Sequence, residues 1–296
     1  MGDTSGLAAR SIRQASAAAR SAGRTIRRPG TYPAIARESL MTGINLALMP
    51  VGVVRDTLKV EDAFRLSERY SPGTALQYLD PEAASTPVIL LHGYFHNRSA
   101  FVVMRRALRR TGFRTVDTLN YNPFLHGVPE LAQQLAEHVE EVLGACEAHQ
   151  VHLVGHSLGG LVARYYIQML GGSDKVAHLV TLGTPHQGTY AAYIGRGRAA
   201  RQIRPGAPLI KLLNKRVRAP ITTRFTAFYS NLDGMILPAS NAKLTLKGLD
   251  ATNLLVKDLG HQSLLVSKSV TRRVAERLAD LPSGALPTDG VRALEA

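Results

Sequence analysis

Val151-His152-Leu153-Val154-Gly155-His156-Ser157-Leu158-Gly159-Gly160 is the stretch that decides how this chain folds. Five mostly apolar residues, Val151–Gly155, have the length and composition of a buried strand. Leu158 onward has the apolar spacing of a helix, running to Leu170 and stopped by Gly171-Gly172. Between them, Gly-x-Ser-x-Gly places Ser157 on a tight strand-to-helix turn with its hydroxyl exposed. Gly155 and Gly159 leave room where side chains would collide around such a turn. A serine in this position is either a helix cap or a nucleophile. The flanking glycines, with Gly160 after them, favour the nucleophile. A serine hydroxyl attacks poorly alone, so that reading requires a histidine base and an acid elsewhere in the chain.

Working outward, strand and helix signals alternate from Thr86 onward. Strands are expected at Pro87–Leu91, Phe113–Leu119, Val151–Gly155, Val176–Leu182, Arg224–Tyr229 and Ala251–Val256. Helices are expected at Ser99–Arg110, Pro129–His149, Leu158–Leu170 and Ser263–Leu281. The helix Pro129–His149 puts Leu131, Leu135, Val139, Val142 and Leu143 on one side. This alternation implies an α/β fold with a mostly parallel sheet and helices on both faces. One segment breaks the rhythm. Ala191–Thr222 carries arginines and lysines without a single acid, plus an apolar run at Leu209–Leu213. An insertion this long is expected to be a lid or cap over a site.

The partners of Ser157 follow from chain order: nucleophile, acid, base. His261 is the only histidine after His186 and sits in a loop between a strand and the last helix, so it is the expected base. Three acids are candidates. Asp233 directly follows the strand Arg224–Tyr229, where its carboxylate orients the imidazole on the next loop. Asp258 is the second choice, and Asp250 has the setting of a turn residue. Two backbone donors must meet the developing oxyanion. The N–H of Leu158 is one. The N–H of Tyr94, in the loop His92-Gly93-Tyr94 after the first strand, is the other, with the Tyr94 ring available to line an acyl pocket. His92 is expected to pin its own loop, and His156 to pack beside the nucleophile turn.

Taken together, His92-Gly93-Tyr94, Gly155-His156-Ser157-Leu158-Gly159-Gly160, Gly183-Thr184-Pro185-His186-Gln187-Gly188-Thr189, Asp233 and Gly260-His261 resemble bacterial lipases and esterases of the α/β-hydrolase fold. The resemblance runs from about Pro87 to about Leu278. It implies a triad of Ser157, Asp233 and His261, an oxyanion hole at Tyr94 and Leu158, and carboxylic-ester substrates of lipidic or hydrophobic character. It implies no cofactor, and no ligand cluster supports a metal. An acyltransferase would use the same triad, and a catalytically inactive binding protein of this fold is the non-enzyme alternative.

Composition narrows the partners. The 296 residues carry a formal net charge of +14. No nucleic-acid-binding module accompanies this charge, so nucleic acid is not an expected partner, whereas an anionic membrane surface is. The single cysteine, Cys146, excludes an internal disulfide. The domain organisation expected is an N-terminal basic and apolar segment over 1–85, the hydrolase domain over 86–285, and a tail over 286–296. Arg10, Arg13, Arg20, Arg24, Arg27 and Arg28 mark the first segment as a disordered tail, an amphipathic helix or a targeting sequence. The uncharged Ser39–Val54 is too short to span a membrane comfortably, and is read as a packed or membrane-surface segment in preference to an export signal. The corresponding location is cytoplasmic or membrane-associated.

Overall fold

The computed structural model describes Glu38, residues 75–215 and residues 220–286. The arginine-rich beginning of the chain other than Glu38, the apolar stretch 39–54, and 287–296 lie outside the described residues.

Six parallel strands form one sheet in the order β2-β1-β3-β4-β5-β6. They are β1 (Val88–Leu91), β2 (Val116–Leu119), β3 (Val151–His156), β4 (Val176–Leu182), β5 (Arg224–Ser230) and β6 (Asp250–Val256). The inner strands β1, β3, β4 and β5 are largely buried because a parallel sheet is covered on both faces, while edge strand β6 is mostly accessible, and each strand distributes its side chains alternately. In β1, Ile89 and Leu91 enter one core while Val88 and Leu90 enter the other. The first core is closed by α4 (Val128–Cys146) and α5 (Leu158–Met169). The second is closed by α1 (Ala75–Leu79), α2 (Pro81–Ser85), α3 (Val102–Thr111), α8 (Ser263–Val266) and α9 (Lys268–Leu278). On α4, Leu131, Leu135, Val139 and Val142 are buried, which is the stripe its sequence spacing predicts.

The order of the sheet fixes where a site can lie. The chain steps outward from β1 to β2, then returns to place β3 on the other side of β1. At this reversal the loops leaving β1 and β3 diverge, opening a crevice at the carboxyl ends of the strands. The loop after β1 is His92-Gly93-Tyr94, and the turn after β3 is Ser157.

Several boundaries differ from expectation for local reasons. The strand expected at Phe113–Leu119 starts only at Val116, because Gly112 ends α3 with φ 130° and the chain is still turning at Phe113. The single closing helix expected at Ser263–Leu281 is two. Ser267 adopts an extended backbone (φ −71°, ψ 118°) and caps α9 by accepting from the Val270 N–H, so the helix restarts there. The second core also takes in Leu76, Ala83 and Ala84, ahead of residue 86, and Leu286, behind residue 285.

The insertion 191–222 contributes α6 (Gly197–Gln202) and α7 (Pro208–Leu213). Ala199, Ala200, Ile203, Leu209, Ile210 and Leu213 are buried in the first core. The described part of the insertion is therefore packed onto the core as a roof, with Arg196, Arg198, Arg201, Lys211 and Lys215 exposed and Arg204 half-buried over the Tyr193 ring. Its main anchor is Arg164 on α5, a fully buried arginine. Its guanidinium donates to the Leu213 carbonyl at 2.8 Å, to Asn214 Oδ1 at 3.2 Å and to His186 Nδ1 at 3.3 Å, with Nε on Gln168 Oε1 at 2.9 Å. A cation is favourable at the carboxyl end of a helix, where carbonyls point outward without partners, and Arg164 meets α7 there. Burial nevertheless pulls its pKa down, to about 9. Replacing Arg164 with Met would strip the donor from Asn214 Oδ1 and Gln168 Oε1 and leave the Leu213 carbonyl with Gln168 Nε2 alone, at 3.0 Å. The expected cost is about 2–3 kcal/mol, read as a lower urea midpoint at unchanged slope. An unchanged midpoint would show that the roof does not depend on this contact.

Candidate active site

Ser157 has φ 53° and ψ −118°, a strained conformation for a residue with a side chain. Its N–H donates to the Leu182 carbonyl at 2.9 Å, which ties the turn to β4. The glycines of the motif are close approaches. A Cβ on Gly159 would lie 2.2 Å from the Leu91 carbonyl oxygen, and one on Gly160 would lie 2.0 Å from Thr184 Oγ1. Helix α5 thus begins pressed against the ends of β1 and β4. Leu158 is its first residue, so its N–H is among the helix donors that have no intrahelical acceptor.

Asp233 and His261 meet as expected. Asp233 Oδ2 lies 2.8 Å from His261 Nδ1, and both side chains are almost completely buried. The other oxygen of Asp233 accepts the Met235 and Ile236 N–H groups at 2.9 and 3.0 Å, which fixes the carboxylate. Burial alone would lower the His261 pKa. The charge and hydrogen bond of Asp233, reinforced by Glu38, outweigh it and hold the pKa above its ordinary value. Asp258 is elsewhere: it is exposed and exchanges hydrogen bonds with Asn231. Asp250 is the exposed first residue of β6.

Ser157 and His261 line one pocket that opens to solvent. Its apolar walls come from Tyr94, Phe95, Ala191, Ala192, Ala200, Ile203, Met235 and Ile236. Half of those are on the insertion, so the roof forms one side of the pocket. Tyr94 joins roof and floor. Its hydroxyl donates to the Arg196 carbonyl and accepts the Arg196 N–H at 3.1 Å, while its ring faces the pocket. His92 is fully buried and pins its loop, with Nδ1 donating to the Gly93 carbonyl at 2.9 Å, Nε2 accepting the Tyr121 N–H at 3.3 Å, and the ring stacked on Tyr121. His156 donates from Nε2 to the His261 carbonyl at 3.2 Å.

The segment Gly183–Thr189 braces this arrangement. Gly183 has φ 55°, and a Cβ there would lie 2.8 Å from Asp233 Oδ2 and 3.0 Å from His261 Nδ1, so only glycine passes under the pair. His186 bridges Thr181 Oγ1 at 3.0 Å and Arg164, and its carbonyl accepts from Asn214 Nδ2 at 2.8 Å. Thr189 Oγ1 donates to the Met235 carbonyl at 2.7 Å and accepts the Leu237 N–H at 2.9 Å, which joins the segment leading into the insertion to the Asp233 loop.

Residues 87–242, just over half of the chain, match the palmitoyl protein thioesterase family. The chain belongs to this family. Matches to individual relatives are shorter. A triacylglycerol lipase of Pseudarthrobacter phenanthrenivorans is 44% identical over 57 residues, covering 19% of this chain and 17% of that protein. A triacylglycerol lipase of Vibrio cholerae is 27% identical over 133 residues, covering 38% of this chain and 36% of that protein. The chain thus spans well under half the length of these curated relatives. Among solved structures, the mature form of a Bacillus licheniformis lipase superposes with a TM-score of 0.58 at 19% identity, covering 66% of this chain and 93% of the other. That likeness shows the α/β-hydrolase fold. The palmitoyl protein thioesterase match ends at residue 242, so it includes Ser157 and Asp233, and His261 follows it.

Two residues of consequence escaped the reading of the sequence. Arg164 belongs to no motif within the expected helix Leu158–Leu170, and Glu38 lies far outside the α/β alternation. A basic residue inside the otherwise apolar LGGLVARYYI run was the one available signal for Arg164. Nothing local marked Glu38.

Proposed function

We propose that the protein hydrolyses acyl esters of hydrophobic acids through an acyl-serine intermediate, with Ser157 as nucleophile, His261 as base and Asp233 as the orienting acid. The observation that carries this is the buried 2.8 Å pair of Asp233 and His261 lining the same pocket as a serine held on a strained turn. Ser157 Oγ attacks the substrate carbonyl carbon as His261 takes the hydroxyl proton. Asp233 stabilises the imidazolium without taking its proton. The carbonyl oxygen, now anionic, is met by the N–H groups of Leu158 and Tyr94. Collapse breaks the bond to the leaving group, which departs with the proton from His261. A water molecule then gives a proton to His261 as its oxygen attacks the acyl carbon, releasing the acid and restoring Ser157. No step calls for a cofactor.

Family membership favours extending the reading to thioesters, whose cleavage needs the same atoms and only a different leaving group. The apolar pocket suits a hydrocarbon acyl chain. Around its mouth Phe95, Phe124, Tyr193 and Ile194 are exposed, Ile194 by 87%, with Arg196, Arg198 and Arg204 beside them. An apolar rim edged with arginine suits contact with an anionic lipid surface, the partner proposed here. Hydrolysis of matched oxygen esters and thioesters from C4 to C16, with and without anionic vesicles, tests the whole reading. Cleavage should rise with chain length and rise again with vesicles. No hydrolysis of either series would overturn it, and indifference to vesicles would remove the membrane from it.

A further inference from the structure

We infer that Glu38 is a positioning residue for His261, binding the backbone just after it and abutting the residue just before it. Its carboxylate accepts the Gln262 N–H, and its Oε2 accepts the Ser263 N–H at 3.0 Å and the Ser263 hydroxyl at 2.8 Å. These are the two residues after His261. On the residue before, Gly260, a Cβ would lie 2.3 Å from Glu38 Oε2 and 2.4 Å from its Cδ. Glycine at 260 is what lets the carboxylate reach the loop. Gln262 and Ser263 are both buried, so this contact replaces water that the two donors would otherwise lack.

The loop needs such a hold. Asp233 holds Nδ1 of the His261 ring, and His156 holds its carbonyl and packs against the ring at 4.5 Å between centroids, but neither bonds the backbone N–H groups that follow. A tilt of the backbone at 260–263 would swing Nε2 away from Ser157 while leaving the Asp233 contact in place. Glu38 meets the loop where that tilt would occur. It also adds a second negative charge near the ring. The other titratable groups about His261 are Asp233 and the histidines His156 and His96, both held neutral by burial. Glu38 precedes the α/β body by some fifty residues, so the upstream part of the chain takes part in building the site.

This inference rests on the proposed role of His261 as base, and the test separates the two. In the full chain, Glu38→Ala should lower kcat on a soluble p-nitrophenyl ester roughly 10- to 100-fold with little change in KM. Gly260→Ala should do the same by displacing the carboxylate. The double variant should be no worse than either single one, because the collision disappears with Glu38. Glu38→Gln, nearly the same shape, should move the acidic limb of the kcat/KM profile to lower pH and serves if the alanine variant fails to fold. Wild-type kcat and an unmoved acidic limb in the Glu38 variants, or multiplying losses in the double variant, would overturn the positioning role. Should Ser157→Ala retain activity, the triad reading itself fails, whatever Glu38 does.

Discussion

Ser157→Ala should reduce kcat on short p-nitrophenyl esters by about 10^6-fold and abolish labelling by a fluorophosphonate probe, with the fold intact. The size follows from the division of labour in the site. Once the hydroxyl is gone, the Asp233–His261 pair has no group to deprotonate except water, and the residual rate comes from the backbone donors and binding alone. Asp233→Asn should be milder, about 10^4-fold, because the imidazole remains but its tautomer and charge stabilisation are lost. The fold should tolerate the serine change, since the Ser157 backbone N–H, which ties the turn to Leu182, is unaffected. Relief of the unfavourable φ at 157 is not expected either, because alanine carries the same Cβ. Activity within tenfold of wild type in the serine variant would end the hydrolase reading.

Acidification should unfold the protein well before its carboxylates titrate. His152, His156, His178 and His186 are almost wholly buried. Burial lowers the pKa of His152 to about 3 and of His178 to about 4, and holds His156 and His186 well below the ordinary value. In the unfolded chain all four return to about 6.5. Below that pH the unfolded state therefore binds more protons than the folded state, so stability falls as pH falls. Each such histidine contributes a slope of about 1.4 kcal/mol per pH unit, and the four together on the order of 5 kcal/mol per unit between roughly pH 6 and pH 4. Domains of this kind have about 5–15 kcal/mol in total. His138 and His261, whose pKa values are raised, do not offset this. Below 6.5 they are protonated in both states, and their contribution is lost only on the alkaline side. Urea unfolding at pH 7.5, 6.0 and 5.0 should show the free energy dropping steeply over the last step. A value constant within 1 kcal/mol across that range would contradict the account.

The parts of the site legible in the sequence are those where chemistry and local backbone coincide. Ser157 announced itself because a strand-to-helix turn this tight demands small neighbours. Asp233 and His261 followed because each directly trails a strand, and parallel strands deliver all such loops to one edge of the sheet. The choice of Asp233 over Asp258 rested on the same logic, and the exposed, Asn231-bound position of Asp258 gives its physical reason. What stayed hidden depends on long-range docking. Glu38 meets Gln262 across most of the chain, and no periodicity records that. Arg164 is charged in a helix otherwise apolar over this run; the acceptors that make its burial tolerable, the Leu213 carbonyl, Asn214 and His186, arrive from far along the chain. The break at Ser267 was likewise missed, because a serine that caps one helix differs from a serine inside a longer one only by its backbone conformation.

Helix α5 carries the nucleophile turn at its front and, two turns further along, Arg164, which holds the end of α7. Two turns of helix measure about 10 Å. The floor and the ceiling of the pocket are thus mounted on one rod, and the space between them is set like the jaws of a gauge. For the acyl substrates proposed above, the chain length accommodated would then belong to the pairing of α5 with the 197–213 segment, and exchanging this segment together with residue 164 should retune it while leaving Ser157, Asp233 and His261 untouched.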